Sequence, residues 1–192
     1  MTSCIVLAAG ESSRFGTPKA LASFRERTVI QCIQNTLINS QVDEIIIVLG
    51  AHAARIKPSL LNHKKVKVVH NKDYKLGQTS SFQAALPVVH PSAEGMLLWP
   101  VDFPSIKTET VDRLLTWAKQ QSALLTIPTY QNKKGHPPFF SVTLKEEFLR
   151  LDHSEGLNQI ARRHADKVHL LEVDDGGVVQ TFNTPDELKL IS

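Results

Sequence analysis

Near its start the chain carries the stretch Cys4-Ile5-Val6-Leu7-Ala8-Ala9-Gly10-Glu11-Ser12-Ser13-Arg14-Phe15-Gly16-Thr17-Pro18-Lys19. Its first six residues are a short, continuous apolar run, as expected for a β-strand buried on both faces of a parallel sheet. A loop rich in glycine and serine follows directly. In open parallel sheets the ligand crevice lies beyond the carboxyl ends of the strands. The stretch therefore predicts a buried parallel strand and a binding loop at its end.

Buried strands and amphipathic helices alternate through the next part of the chain. Apolar runs predict strands at residues 44–49, 66–69, 96–99 and 123–127, and helical spacing of apolar residues predicts helices at 29–38, 79–89 and 111–118. Strands that alternate with helices in this way are typical of βαβ units. We therefore expect the α/β class: a mostly parallel twisted sheet with helices on both faces, in three Rossmann-like layers.

The last third of the chain is less regular. We expect strands at residues 139–142 and 168–173 and helices at 144–151 and 157–164. A final short helix begins at Pro185, with Thr184 as its N-cap and Glu187 completing a capping box. We interpret residues 1–192 as one domain, and residues 130–180 as the place for a small substrate-side lobe on the same sheet.

Composition excludes several function classes. A chain of 192 residues with 42% hydrophobic residues can bury one substantial core, which argues against disorder. A net charge of +3 is too small to indicate a nucleic-acid partner. No apolar run approaches the roughly 18 residues that span a bilayer, and no signal peptide is recognisable, so we expect a cytoplasmic protein without a membrane partner. Cys4 and Cys32 lie in apolar stretches and are expected to be buried free thiols.

The loop after the first strand has the chemistry of an anion site. Its two glycines permit successive backbone N–H groups to converge on an anion. Ser12 and Ser13 can add hydrogen bonds, and Arg14 and Lys19 bring two cations to the same loop. The loop matches neither the Walker pattern nor the three-glycine dinucleotide fingerprint. It therefore indicates a phosphate-binding loop of another kind.

The string Leu-Ala-Ala-Gly-x-Ser-Ser-Arg-x-Gly-x-x-Lys at residues 7–19 resembles the signature of the nucleotidyltransferases that include the molybdenum-cofactor cytidylyl- and guanylyltransferases. The resemblance implies a nucleotidyltransferase fold. It also implies that the backbone from Ala8 to Gly10 holds the base and ribose, and that Arg14 and Lys19 bind the triphosphate. The predicted nucleotide-binding residues of this loop are Leu7, Ala8, Ala9, Gly10, Ser12 and Ser13.

A second polar segment follows the third strand, at residues 70–81. On its own it indicates a loop that leads into a helix, with Thr79 or Ser80 as the N-cap. In the family that the chain resembles, the corresponding segment contacts the base and sugar. The resemblance therefore adds Gly77, Gln78 and Ser81 to the nucleotide site.

Asp102 stands at the end of a predicted buried strand, between Pro100 and Pro104. Burying a lone carboxylate costs several kcal/mol unless it is paired or binds a metal, so packing alone explains Asp102 poorly. The resemblance implies that Asp102 holds Mg²⁺ between the α-phosphate and the acceptor. It also implies a second metal contact from Asn183, at a position that carries Asp or Asn in the family. Arg14, Lys19 and Asp102 are the expected catalytic residues.

The triplet Gly135-His136-Pro137 resembles one found near the pterin substrate in the cytidylyltransferase branch. Ala9 stands where the guanylyl branch usually has glycine. Together they favour a cytidylyltransferase that joins CTP to molybdopterin and releases pyrophosphate. The resemblance also implies a molybdenum hydroxylase as the acceptor enzyme. The alternatives are a guanylyltransferase that uses GTP, a cytidylyltransferase for another phosphorylated small molecule, and a nucleotide-binding regulatory module without turnover.

Overall fold

The computed structural model describes residues 1–191, which contain ten strands, seven helices and several short 3₁₀ turns. The strands are β1 (Thr2–Ala8), β2 (Ser23–Phe24), β3 (Arg27–Thr28), β4 (Glu44–Leu49), β5 (Val66–His70), β6 (Gly95–Pro100), β7 (Leu125–Tyr130), β8 (Lys133–Lys134), β9 (Phe139–Ser141) and β10 (Val168–Glu172). The helices are α1 (Val29–Ile38), α2 (Ala53–Ile56), α3 (Gln78–Ala85), α4 (Thr108–Gln120), α5 (Lys145–Leu149), α6 (Asn158–Arg163) and α7 (Pro185–Leu190).

Eight of the strands form one sheet, in which β8 pairs with β7 and the others follow the order β10-β7-β9-β6-β1-β4-β5. The strand β1 is central and runs parallel to β4 on one side and β6 on the other. Only β8 and β9 run against the common direction, and β9 lies between β6 and β7. The three strands within residues 130–180 thus belong to the same sheet as β1. The prediction of a mostly parallel sheet is confirmed.

The sheet lies between two layers of helices. Alternate residues of β1 point to opposite faces, as the period of a strand requires. Val6 packs in one core with the buried residues of α1, α4 and α7. Ile5 packs in the other core with the buried residues of α3, α5 and α6. Because both faces of β1 are covered, its sequence is continuously apolar, and the three-layer α/β/α prediction is confirmed.

Two local predictions need correction. Thr184 accepts a hydrogen bond from the Glu187 N–H at 3.2 Å, as expected of an N-cap, but the Glu187 carboxylate accepts from the Asn183 N–H rather than from that of Thr184. The capping-box prediction is therefore wrong in its second half. Cys4 and Cys32 are free thiols, but only Cys4 is fully buried, and Cys32 is half-buried. Burial raises the pKa of the Cys4 thiol well above its usual value.

Within residues 1–191, no helix combines the length and the apolar character that crossing a membrane requires.

Candidate functional site

A cavity of about 330 Å³ opens at the carboxyl ends of β1 and β6. Every residue expected in the nucleotide, catalytic and metal sites lines it: Leu7, Ala8, Ala9, Gly10, Ser12, Ser13, Arg14, Lys19, Gly77, Gln78, Ser81, Asp102 and Asn183. These residues come from four separate parts of the chain. The parallel sheet brings them together because the loops that follow its strands share one edge.

The loop after β1 is shaped by Ser12. Its carbonyl oxygen accepts hydrogen bonds from the N–H groups of Phe15 at 2.9 Å and Gly16 at 3.2 Å, which closes a tight turn. Its hydroxyl oxygen accepts from the Lys19 N–H at 3.1 Å. The Ser12 side chain therefore fixes the backbone at Lys19. Arg14 lies in the exposed part of the turn and makes no hydrogen bond or ion pair with any other residue in the 1–191 range.

The Lys19 ammonium group contacts three oxygen atoms, two of which belong to residues that line the cavity. Nζ lies 2.7 Å from the Phe182 carbonyl oxygen, 3.1 Å from Oδ1 of Asn183 and 3.6 Å from Oδ2 of Asp102. It also lies 5.1 Å from the centre of the Phe182 ring, a cation–π contact. The Lys19 side chain is only 14% exposed and that of Asp102 28%. One cation thus joins the two residues expected to bind a metal.

A tight turn after β6 positions Asp102. The Phe103 N–H donates to the Pro100 carbonyl at 3.3 Å, and the indole N–H of the buried Trp99 donates to the Phe103 carbonyl at 3.0 Å. The Val101 N–H continues the ladder to the Leu7 carbonyl of β1 at 3.1 Å. The strand and its turn thereby present the Asp102 carboxylate at the carboxyl edge, directly beside the loop that follows β1.

The donor set around Lys19 fits a magnesium ion. Carboxylate, amide and carbonyl oxygens are the ligands that this hard cation prefers, and Mg²⁺ is often held by one or two carboxylates together with substrate phosphates. In the part of the chain that the structure describes, no group of three or more His, Cys, Asp or Glu side chains is placed to hold a metal. Asp102 and Asn183 are thus suited to a metal whose remaining ligands come from a bound nucleotide.

The helix α3 begins one residue earlier than expected, and the predicted N-caps Thr79 and Ser80 are wrong. Gly77 takes the cap position with φ +96°, in the left-handed region that favours glycine. The Thr79 hydroxyl instead donates to the Glu155 carbonyl, and the Ser80 hydroxyl donates to the Gly77 carbonyl at 2.9 Å. Gln78 is left as the first helical residue, exposed at the rim of the cavity.

A second cavity of about 570 Å³ adjoins the first, and Gln78 lines both. Gly135 and His136 line the second cavity, whereas Pro137 does not. Apolar side chains from β6, β7, β9 and α6 form much of its wall, and Lys134 and Arg162 add two cations. The cavity therefore offers apolar surface and positive charge next to the first cavity.

His136 is held in place in the wall of the second cavity. Its backbone N–H donates to the Val178 carbonyl at 2.8 Å, and its ring stacks on that of Phe103 with centroids 4.4 Å apart. The peptide bond between His136 and Pro137 is cis. Burial lowers the pKa of His136, and the negative charge of Asp102 offsets part of that effect. The imidazole is therefore favoured in its neutral form.

The lowered pKa of His136 has a consequence for stability that can be measured. The unfolded histidine has a pKa of about 6.5. Between the folded-state pKa and that value, the unfolded chain binds a proton that the folded chain does not, so stability falls as the pH is lowered through this window. Above this pH range, the contribution of His136 to the free energy of unfolding is fully present and no longer changes with pH. We expect His136→Gln to lose less stability than the wild type between about pH 7 and about pH 5, measured as urea midpoints. Equal losses would contradict the assignment.

Among the parts of the candidate site that the sequence did not indicate are a backbone carbonyl, Arg162 and Tyr74. The Phe182 carbonyl is a backbone atom, and no residue type identifies such an atom as a ligand. Arg162 reaches the second cavity from α6, a helix without any motif. Tyr74 lines the first cavity, and it lies within the polar segment at residues 70–81, where an aromatic residue among polar ones was an available signal.

Comparison with known proteins identifies the family of the chain. The model of the MobA-like NTP transferase domain family matches residues 4–168. The molybdenum cofactor cytidylyltransferase of Escherichia coli K12 is 25% identical over 185 residues, covering 96% of this chain and 92% of that protein. The nicotine blue oxidoreductase of Paenarthrobacter nicotinovorans is 26% identical over 193 residues, with 96% and 93% covered.

Solved structures extend the comparison. Rv0371c from Mycobacterium tuberculosis H37Rv has a TM-score of 0.85 and 30% identity, with 99% of this chain and 96% of that chain covered. Its complex with manganese has a TM-score of 0.81, 28% identity, and coverages of 99% and 97%. The family match spans the loop after β1 and the turn at Asp102. The chain therefore belongs to the MobA-like NTP transferase family and is a member of the nucleotidyltransferases.

Proposed function

We propose that this protein is a magnesium-dependent CTP:molybdopterin cytidylyltransferase, which forms molybdopterin cytosine dinucleotide and pyrophosphate. The observation that carries the proposal is the joining of Asp102 and Asn183 by Lys19 in the wall of the first cavity. Such a cluster beside a glycine-rich loop is suited to a nucleoside triphosphate with its metal.

Arg14 and Lys19 are assigned to the triphosphate. Arg14 is exposed at the cavity and has no partner among residues 1–191, so its guanidinium is available for phosphate oxygens. Lys19 is fixed at its backbone by Ser12 but has a flexible four-carbon stem. Their charges would stabilise the pyrophosphate that leaves. When bound, the metal supplies charge neutralisation at the reacting phosphates.

Cytosine is favoured at the base site by Ala9. This residue lies in the cavity at the end of β1, and its carbonyl accepts a hydrogen bond from the Ala51 N–H at 3.0 Å. Glycine, which lacks the methyl group, would leave more room here for a purine. The E. coli relative is named for cytidylyl transfer, which agrees with this choice.

The second cavity is assigned to molybdopterin, which makes residues 130–180 the substrate-side lobe. Its apolar wall suits a planar heterocycle, and Lys134 and Arg162 suit an anionic acceptor. A phosphate monoester has a second pKa near 6 and is largely ionised at neutral pH, so no general base is required. The chain's role is to hold that phosphate in line with the α-phosphorus. We further propose that the product passes to a molybdenum hydroxylase.

Nucleotide selectivity tests the proposal. With Mg²⁺ and molybdenum cofactor, we expect pyrophosphate release with CTP and little with GTP, ATP or UTP. Ala9→Gly should increase the relative rate with GTP about tenfold, because the space it opens admits a purine. A preference for GTP in the wild type would show a guanylyltransferase. Release only with other phosphorylated acceptors would show a different cytidylyltransferase, and tight CTP binding without release from any acceptor would indicate a regulatory module.

A further inference from the structure

The Lys19 ammonium occupies the place between the two expected metal ligands. It is the only cationic side chain within residues 1–191 that contacts Asp102 or Asn183. It also donates a hydrogen bond to the Phe182 carbonyl oxygen at 2.7 Å, the shortest of its three contacts with oxygen. We call these three oxygen donors, from Asp102, Phe182 and Asn183, the cation seat.

We propose that Lys19 fills the cation seat until a nucleotide arrives, so that the metal can enter only together with the nucleotide or after it, and that the Phe182 carbonyl is a third oxygen of the seat. The inference rests on the proposed function in one respect, the assignment of Asp102 and Asn183 as metal ligands. It adds an order of binding and an oxygen ligand.

Charge explains why the two cations exclude each other. An ammonium group and a divalent cation at contact distance repel strongly in a site that is mostly shielded from water. The Lys19 side chain is 14% exposed, so solvent screens it little. A divalent cation must therefore displace Lys19 and also give up part of its own hydration shell, which Mg²⁺ does reluctantly.

The nucleotide supplies what is needed to release Lys19. A triphosphate in the first cavity offers several anionic oxygens to the ammonium, against one carboxylate and two neutral oxygens in the seat. The backbone at Lys19 stays anchored by Ser12 at 3.1 Å, so only the side chain has to swing. The ammonium would then neutralise phosphate charge, and the oxygens of Asp102, Phe182 and Asn183 would be free to hold a metal.

Manganese binding tests the inference without any acceptor or product. Mn²⁺ is titrated into the nucleotide-free protein, and the free ion is measured by electron paramagnetic resonance. We expect Lys19→Met to bind Mn²⁺ at least about tenfold more tightly than the wild type, because the competing charge is gone. Adding the non-hydrolysable α,β-methylene analogue of CTP should raise Mn²⁺ retention by the wild-type protein in ultrafiltration.

Two further variants make the result specific. Arg14→Met removes one positive charge from the same cavity without touching the seat, and should change nucleotide-free Mn²⁺ affinity less than twofold. Lys19→Met combined with Asp102→Asn should lose the gained affinity. Equal Mn²⁺ affinity in Lys19→Met and wild type would overturn the inference, as would an equal gain in Arg14→Met. Because the Mn²⁺ titration measures no turnover, its result can be interpreted even if the protein shows no cytidylyltransferase activity.

Discussion

Replacing Asp102 with alanine is expected to lower the rate of nucleotide-dependent pyrophosphate release by about 10³-fold, which corresponds to roughly 4 kcal/mol of transition-state stabilisation. The physical reason is that Asp102 is the one carboxylate among the residues that line the first cavity in the described chain. Without it the proposed metal site would have no charged protein ligand. Steady-state pyrophosphate release at saturating CTP, Mg²⁺ and molybdenum cofactor measures the effect.

The loss should be catalytic rather than structural. The Asp102 side chain is 28% exposed, and its contact with Lys19 at 3.6 Å is a partly solvated ion pair, which contributes little to folding. We expect a thermal midpoint within about 2 °C of the wild type. Asp174→Ala is the matched control, since Asp174 is exposed and lines neither cavity. An Asp102→Ala enzyme that kept a third of its activity would exclude Asp102 as the metal ligand.

Replacing Gly135 with alanine is expected to impair both stability and use of the acceptor. An added Cβ would collide with the Val178 carbonyl oxygen and lie 2.8 Å from the carbonyl carbon. Both are backbone atoms, so no side-chain rotation can relieve the clash. The same carbonyl accepts the His136 N–H at 2.8 Å. The turn at Gly176–Val178 and the segment at Gly135 must therefore move apart, and His136 moves with them. We expect a loss of about 2 kcal/mol in unfolding free energy, or roughly 6 °C in the thermal midpoint.

Displacement of His136 should be visible separately from the loss of stability. We expect kcat with molybdopterin to fall roughly 100-fold at a temperature where the variant is folded, because small misplacements of a substrate site are costly. Affinity for CTP should stay unchanged, because Gly135 does not line the first cavity. Gly176→Ala is the control, since a Cβ there meets its nearest neighbour, Tyr130, at an ordinary 3.5 Å. Unchanged acceptor kinetics in Gly135→Ala would remove the second cavity from the proposed reaction.

The fold was predictable from the strands that are buried on both faces, because such strands consist of continuous apolar residues. The continuous apolar runs of β1 and β4 identified central parallel strands, and α1 was predicted at residues 29–38, where it is found. The direction of β9 was not predictable. Its residues form an apolar strand in either direction, and pairing with β6 and β7 is decided by tertiary contacts that a local pattern does not contain.

The site was predictable where a motif marks it. The loop at residues 7–19 matches the family signature at enough positions to locate the first cavity. Asp102 was recognisable as a carboxylate at the end of a strand. The contact of Lys19 with the Phe182 carbonyl joins positions 163 residues apart through a backbone atom, for which the sequence has no signal. The N-cap of α3 was misassigned because Gly77 caps by conformation, whereas Thr79 and Ser80 only have the favoured side chains.

The antiparallel direction of β9 has a consequence for how this enzyme can be re-engineered. The parallel strands end at the carboxyl edge of the sheet, where the candidate site lies, but β9 begins at that edge. Just before β9 begins, the Pro138 carbonyl accepts a hydrogen bond from the Leu98 N–H at 3.1 Å. Residues 134–138 therefore run along that edge before the chain turns back into the sheet as β9, which pairs with both β6 and β7. Exchanging residues 134–138 between relatives, while β9 is kept, should change acceptor specificity without disturbing the loop that follows β1.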